Sequence, residues 1–257
     1  PEGAIIERDV RQYIQSQAAS ALPITTLHSA ETPAPAQQLV GSRADVAASM
    51  VQGIPNQVHF TLTAEADITQ LAVWRSKLLE TNIKPTFNSL ILFAVSRMLK
   101  SQPQLISEPA DSSSAQPPQI DIGLAMTGGK RFVFPVIRNV EQKGLMQLAV
   151  EERELTVQAA AGSIPAQTSD PCTLRLCNLG EYGIDTFTPW FSVSDCAVLS
   201  VGRIKEHHDM LDGRVSTHQM VWLSLTADFR QIDGLQAAQF MQALVRFLEN
   251  PTLLIGI

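Results

Sequence analysis

Near the end of the chain, Asp228-Phe229-Arg230-Gln231-Ile232-Asp233-Gly234 sets two carboxylates and a guanidinium around one aromatic ring. Phenylalanine, between them, can neither accept nor donate a proton. Cys177 stands 52 positions earlier (229 − 177) and is followed by Asn178. A free thiol titrates near about 8.5, and the thiolate is the nucleophile. A cysteine nucleophile therefore needs a nearby base or cation, and the sequence places none beside Cys177. Two readings of this residue stand: a nucleophile that becomes acylated, or a small buried thiol. His207, His208 and His218 surround Asp212-Gly213, where they could supply a base, a metal pair or only solvated surface. His28 and His59 have no evident partner.

The elements that must position these residues mix helices and strands. Val58 to Thr63 alternates as a strand. Asp67 then offers an N-cap, with Gln70 as capping-box partner. Ile68, Leu71 and Leu78 share one face of the helix that follows. Pro85 precedes a second helix, Thr86 to Ser101. Its run Leu90-Ile91-Leu92-Phe93-Ala94-Val95 is apolar all round and predicts a buried central helix. Ile120 to Met126 and Arg131 to Ile137 flank a turn, Thr127-Gly128-Gly129-Lys130. This turn is not a phosphate loop, because no strand–Gly-rich–helix context follows. Gly144 to Ala161 reads as a helix. Strands are expected near Thr173 to Asn178, Cys196 to Val201 and Met220 to Ala227, with a hairpin turn at Asp212-Gly213. A last helix buries Leu235, Ala238, Met241, Leu244, Val245 and Leu248, and Pro251 stops it. The class is mixed α/β or α+β.

Composition narrows the partners. The 257 residues carry a net charge of −6 with no Lys/Arg cluster, which argues against a nucleic-acid surface. No apolar run approaches the ~20 residues of a membrane span. Cys172, Cys177 and Cys196 lack metal spacing and are too few for a disulfide framework. No metal is expected, and a reducing compartment is the default. Residues 16–40 are rich in Ala, Pro, Ser, Thr and Gln and read as a flexible linker.

Ordered motifs then point to one family. Arg43-x-x-Val46-Ala47-x-x-Met50, Ala66-Asp67-Ile68-Thr69, Ile122-Gly123-Leu124-Ala125 with Val133-Phe134-Pro135-Val136-Ile137-Arg138, and Asn178-Leu179-Gly180 follow one another at family spacing. Leu199-Ser200-Val201-Gly202 comes next and is similar to a family Leu-Ala-Val-Gly. The final segment resembles Asp-His-Arg-x-x-Asp-Gly. Together they resemble the catalytic domain of the dihydrolipoyl acyltransferases, the core subunits of 2-oxo acid dehydrogenase complexes. Residues 1–15 look like the tail of a peripheral subunit-binding domain, and residues 41–257 like the acyltransferase core.

The resemblance carries expectations about fold and site. It implies a chloramphenicol acetyltransferase-like fold, a trimer or larger cage with sites between subunits, and coenzyme A and lipoyl thiols as the two acyl carriers. Other subunits of such a complex are the implied partners, and bacterial cytoplasm or mitochondrial matrix the implied location. Phe229 takes the place of the family's general-base histidine. Cys177 takes the place of a Ser or Thr whose hydroxyl stabilises the oxyanion of the tetrahedral intermediate. Ser192-Val193-Ser194 replaces a family Asn-Pro-Pro. Asp233 and Arg43 resemble a pair that braces the base loop, and Asn178 follows the oxyanion position. The resemblance therefore implies an acyltransferase core with lost or strongly reduced transfer, retained for assembly or for holding a ligand. The alternatives are an enzyme with an altered mechanism or carrier, and an interaction protein that uses the trimer alone.

Overall fold

Alternating strands and 3.6-period helices separate cleanly along the chain. The computed structural model describes residues 57–81, 84–101, 119–128, 131–164, 170–191, 195–211 and 214–254, together with Glu7 and Ala47. Two units divide the chain, Pro1–Leu39 and Val40–Ile257, and the account below concerns the second. The expected subunit-binding remnant and linker lie outside the described residues, as do Arg43, His28 and Ser192-Val193-Ser194.

The strands are β1 (His59–Asp67), β2 (Ile122–Gly128), β3 (Arg131–Val133), β4 (Val136–Ile137), β5 (Leu174–Asn178), β6 (Ala197–Leu211) and β7 (Arg214–Asp228). They form one sheet in the order β1-β7-β6-β5-β2-β3, with β4 also on β2. β2, β5 and β6 run parallel, β7 runs antiparallel to β6, and β1 antiparallel to β7. The helices are α1 (Thr69–Leu79), α2 (Phe87–Ser101), α3 (Leu145–Ala160) and α4 (Gly234–Glu249).

Register explains the core. Leu62, Leu225, Leu199, Leu176 and Leu124 lie side by side across five strands. Registered neighbours share a sheet face. This row joins the core with Leu90, Leu92 and Leu99 of α2 and Phe240 and Leu244 of α4. One residue further along, the facing row is Thr63, Ser224, Ser200, Cys177 and Ala125. It points to the opposite side, since strand side chains alternate. The run 90–95 is buried throughout, as its all-round apolar character predicts.

Three expectations need correction. Asp67 does not cap α1. It ends β1, and its carboxylate accepts from the Thr69 backbone N–H (2.9 Å) and faces His218 Nδ1 (2.7 Å), while Ile68 occupies the cap position. The buried stripe of α4 is Ala237, Phe240, Met241, Leu244 and Leu248, and Leu235 is exposed. A single helical face cannot include the outward side of the first turn as well. β6 and β7 also run well past Val201 and Met220. Their outer halves pair only with each other, as a ribbon bearing His207, His208, Ser216 and Thr217. With no face to bury there, no apolar alternation announces it.

Two glycines of the family-like motifs sit where backbones touch. A Cβ on Gly202 would lie 1.8 Å from the Asp185 carbonyl oxygen, and one on Gly180 2.5 Å from that of Gly202. These contacts press the loop after β5 against a register shift in β6 between Val201 and Ile204. They thereby fix where Cys177 and Asn178 end.

Candidate functional site

Phe229 occupies the turn between β7 and α4. Its backbone N–H donates to the Val58 carbonyl (2.8 Å). Its ring stands edge-on to Phe60 at 5.8 Å and is 56% exposed. The turn is braced by its neighbours. Asp228 is 0% exposed, and its carboxylate accepts from Arg230 Nε (3.0 Å), Arg230 Nη2 and the backbone N–H groups of Arg230 and Val58. Burial raises the Asp228 pKa, but the Arg230 bonds and charge outweigh it and leave the carboxyl below its usual range. The sequence did not single out Asp228; Arg43, the expected partner of Asp233, lies outside the described residues. Asp233 caps α4: its Oδ1 accepts from Gln236 N–H (2.7 Å), and Gln236 returns a bond to the Asp233 N–H. His59 lies in register with Asp228 and rests on Phe191, with ring centroids 4.3 Å apart. It is the imidazole that β1 brings beside the Phe229 turn.

Cys177 and Asn178 close β5, at the carboxyl end of three parallel strands. Open α/β sheets bind ligands at such ends. Burial pushes the Cys177 thiol up to about 11, with the nearby Arg175 charge only partly opposing it. Arg175, two residues earlier on the same face, is 1% exposed. It donates to Asp195 from Nη2 (2.7 Å) and Nε (3.2 Å) and lies over the Phe134 ring at 5.2 Å. That guanidinium is committed to Asp195, and Cys177 is therefore a neutral thiol at pH 7.

Register adds a residue that the sequence did not single out. Ser200 is the Cα partner of Cys177 on β6. Its Oγ is buried and has no hydrogen-bond partner among the described residues. Neighbouring strands lie about 4.8 Å apart, so a hydroxyl stands one strand from the thiol. Cys177 and Phe229 are not brought together. From Ser224, in the row of Cys177, Phe229 lies five residues on and two strands across. At about 3.3 Å per residue and about 4.8 Å per strand, the two Cα positions are roughly 19 Å apart within one chain.

Two cavities flank Asn178. One, of about 290 Å³, is mainly apolar and includes Ile68, Leu71, Phe87, Ile91 and Val221. The other, of about 310 Å³, is polar and lies between β2, β3, α3 and the loop after β5. Asn178 lines both, and its Nδ2 donates to Asn88 Oδ1 at 2.5 Å. The ribbon histidines serve elsewhere: His207 meets Asp209 (3.1 Å) and His208 meets Thr217 (3.0 Å).

This geometry has close counterparts. Residues 32–256 match the family model of the 2-oxoacid dehydrogenases acyltransferase catalytic domain. The chain belongs to that family. Among its members, the dihydrolipoyllysine-residue acetyltransferase component of the acetoin cleaving system of Bacillus subtilis (strain 168) is 29% identical over 261 residues, covering 99% of this chain and 64% of the relative. The acyltransferase-family chain thus spans somewhat under two thirds of that relative's length. The solved dihydrolipoamide acetyltransferase of Azotobacter vinelandii superposes with a TM-score of 0.73 at 29% identity, covering 85% of this chain and 93% of its own. A cubic core of a pyruvate dehydrogenase multienzyme complex matches with the same score, identity and coverage. In the Azotobacter vinelandii enzyme, the catalytic mechanism was investigated through a serine, a histidine and an asparagine. The two solved structures share the fold of this chain over 85% of its length.

Proposed function

We propose that this chain is the acyltransferase-like core of a 2-oxo acid dehydrogenase-type complex in which transfer between dihydrolipoyl and coenzyme A thiols is lost or strongly reduced. The observation that carries this is Phe229. The serine, histidine and asparagine investigated in the Azotobacter vinelandii enzyme are spaced 52 and 4 apart, the spacing of Cys177, Phe229 and Asp233 here. The histidine position therefore falls on a ring that cannot take a proton from a thiol. General base catalysis contributes about 10²–10⁴-fold. Ser200 tempers the second departure: its buried hydroxyl, one strand over from Cys177, is the group proposed to take over as oxyanion donor.

The same reading gives a homotrimer or a multiple of three. A separation of roughly 19 Å leaves Cys177 and Phe229 unable to share one site unless a second copy supplies one of them. The exposed apolar side chains Val58, Phe229 and Leu235 suit that contact. An ion pair between Arg43 and Asp233 is part of the same proposal. Coenzyme A and a lipoyl arm are the proposed substrates, other complex subunits the proposed partners, and bacterial cytoplasm or mitochondrial matrix the proposed location. The test is acyl transfer from several acyl-coenzyme A donors to dihydrolipoamide. Robust turnover by the unmodified chain would sink the claim of lost transfer.

A further inference from the structure

Where β1 ends against the β6–β7 ribbon, a hydroxyl, an imidazole and a carboxylate stand in line. Ser216 and His218, two residues apart on β7, share one face of the strand. His218 Nε2 lies 3.1 Å from Ser216 Oγ, and its Nδ1 lies 2.7 Å from Asp67 Oδ2. The Thr69 backbone N–H and hydroxyl both donate to the other Asp67 oxygen. Burial raises the Asp67 pKa, but the bonds from Thr69 and His218 outweigh it and leave the carboxyl below its usual range. An ionised carboxylate only accepts, so Nδ1 carries the imidazole proton. Nε2 of the neutral ring is then bare and accepts from the Ser216 O–H. The His218 and Asp67 side chains are 35% and 34% exposed in the single chain, so a solute reaches them.

An oxyanion donor stands beside this line. The Gln219 N–H donates to Thr69 Oγ1 (2.8 Å), and the Gln219 carbonyl accepts from the Ile68 N–H (2.7 Å). Both groups thus point to the β1 side of β7. Backbone groups of an antiparallel strand alternate sides residue by residue, so the Thr217 N–H points to that same edge. Pairing with β1 ends at Asp67–Met220, which leaves this N–H uncovered by any strand among the described residues. We propose that Ser216, His218 and the Thr217 N–H form a second site that hydrolyses small acyl esters, with Asp67 positioning the imidazole. Ser216 Oγ attacks the ester carbonyl carbon as its proton passes to His218 Nε2, and the Thr217 N–H holds the oxyanion. Collapse breaks the bond to the leaving oxygen, which takes the proton from His218. Water then attacks the acyl-serine by the same path, releasing a carboxylic acid and restoring the hydroxyl. No part of this rests on the reading of Phe229.

The test exposes the full chain to p-nitrophenyl acetate and, separately, to a fluorophosphonate, which bonds phosphorus to a reactive serine oxygen with loss of fluoride. Peptide mapping should place the label on Ser216, and S216A should remove both the label and most of the ester hydrolysis. H218Q should slow labelling about 10²-fold or more. D67N should slow it at least about tenfold and lower the pH midpoint of labelling, since the anion beside the imidazole is gone. That variant keeps the other charged groups facing His218: Glu65 of β1, Lys205, His207 and Asp209 of β6, and Glu249 of α4. S216A and H218Q, both on the partly exposed ribbon, keep the test open if D67N does not fold. Absence of label on Ser216, hydrolysis undiminished in S216A, labelling unaffected by H218Q, or a midpoint unmoved in folded D67N would each overturn the proposal.

Discussion

Phe229 changes chemistry without disturbing architecture, because its backbone bond to Val58 needs no particular side chain. An imidazole should therefore be accepted there. F229H is expected to raise acyl transfer to dihydrolipoamide by about 10²-fold or more. Adding S200A to F229H should lower kcat again by about 10²-fold, the cost of removing an oxyanion donor; kcat and KM measured for both variants decide it. An S200A change without effect would return the donor role to Cys177. The Cys177 thiol, pushed up to about 11, should resist iodoacetamide at pH 8 in the folded chain and react readily once unfolded. Mass mapping of alkylated peptides checks this, and rapid labelling of native Cys177 would contradict it. Phe229 and Cys177 were singled out through the resemblance of their segments to family motifs. Ser200 was not, because in sequence it is one small residue in an apolar strand, and only strand register sets it beside Cys177.

Among the elements, β5 rests on the Arg175–Asp195 pair, both partners being 1% exposed. D195A should cost about 3–5 kcal/mol by leaving a buried guanidinium unpaired. The double variant R175M/D195L should recover much of that loss, as urea midpoints would reveal; equal losses in single and double variants would refute the account. The β7–α4 turn predicts a pH dependence. Asp228 has a folded pKa below its unfolded value of about 3.9. Its contribution is therefore fully present above that pH and is lost as pH falls through the lower folded value. D228N should flatten the acid limb of a stability profile between about pH 5 and 2; an unchanged limb would argue against the brace. Apolar periodicity made α2 and the inner halves of β6 and β7 readable. It failed for the ribbon, which buries no face, and for Asp67, whose carboxylate is claimed by Thr69 and by His218 from a strand distant in sequence.

The whole chain is expected to run in solution as a trimer or a multiple of three. Light scattering at micromolar concentration measures this, and a stable monomer would remove the assembly claim while leaving the fold intact. The family was legible because its motifs sit at backbone constraints such as Gly180 and Gly202, where any side chain would collide. The interior spaces were not legible, because cavities arise from what elements far apart in sequence fail to fill. One hydrogen bond gives those spaces their plan. Asn178 and Asn88 form a door between an oily room and a wet one. Because Asn178 and Glu181 line both spaces, a shorter side chain at position 178 would enlarge the two at once, with no movement of the backbone.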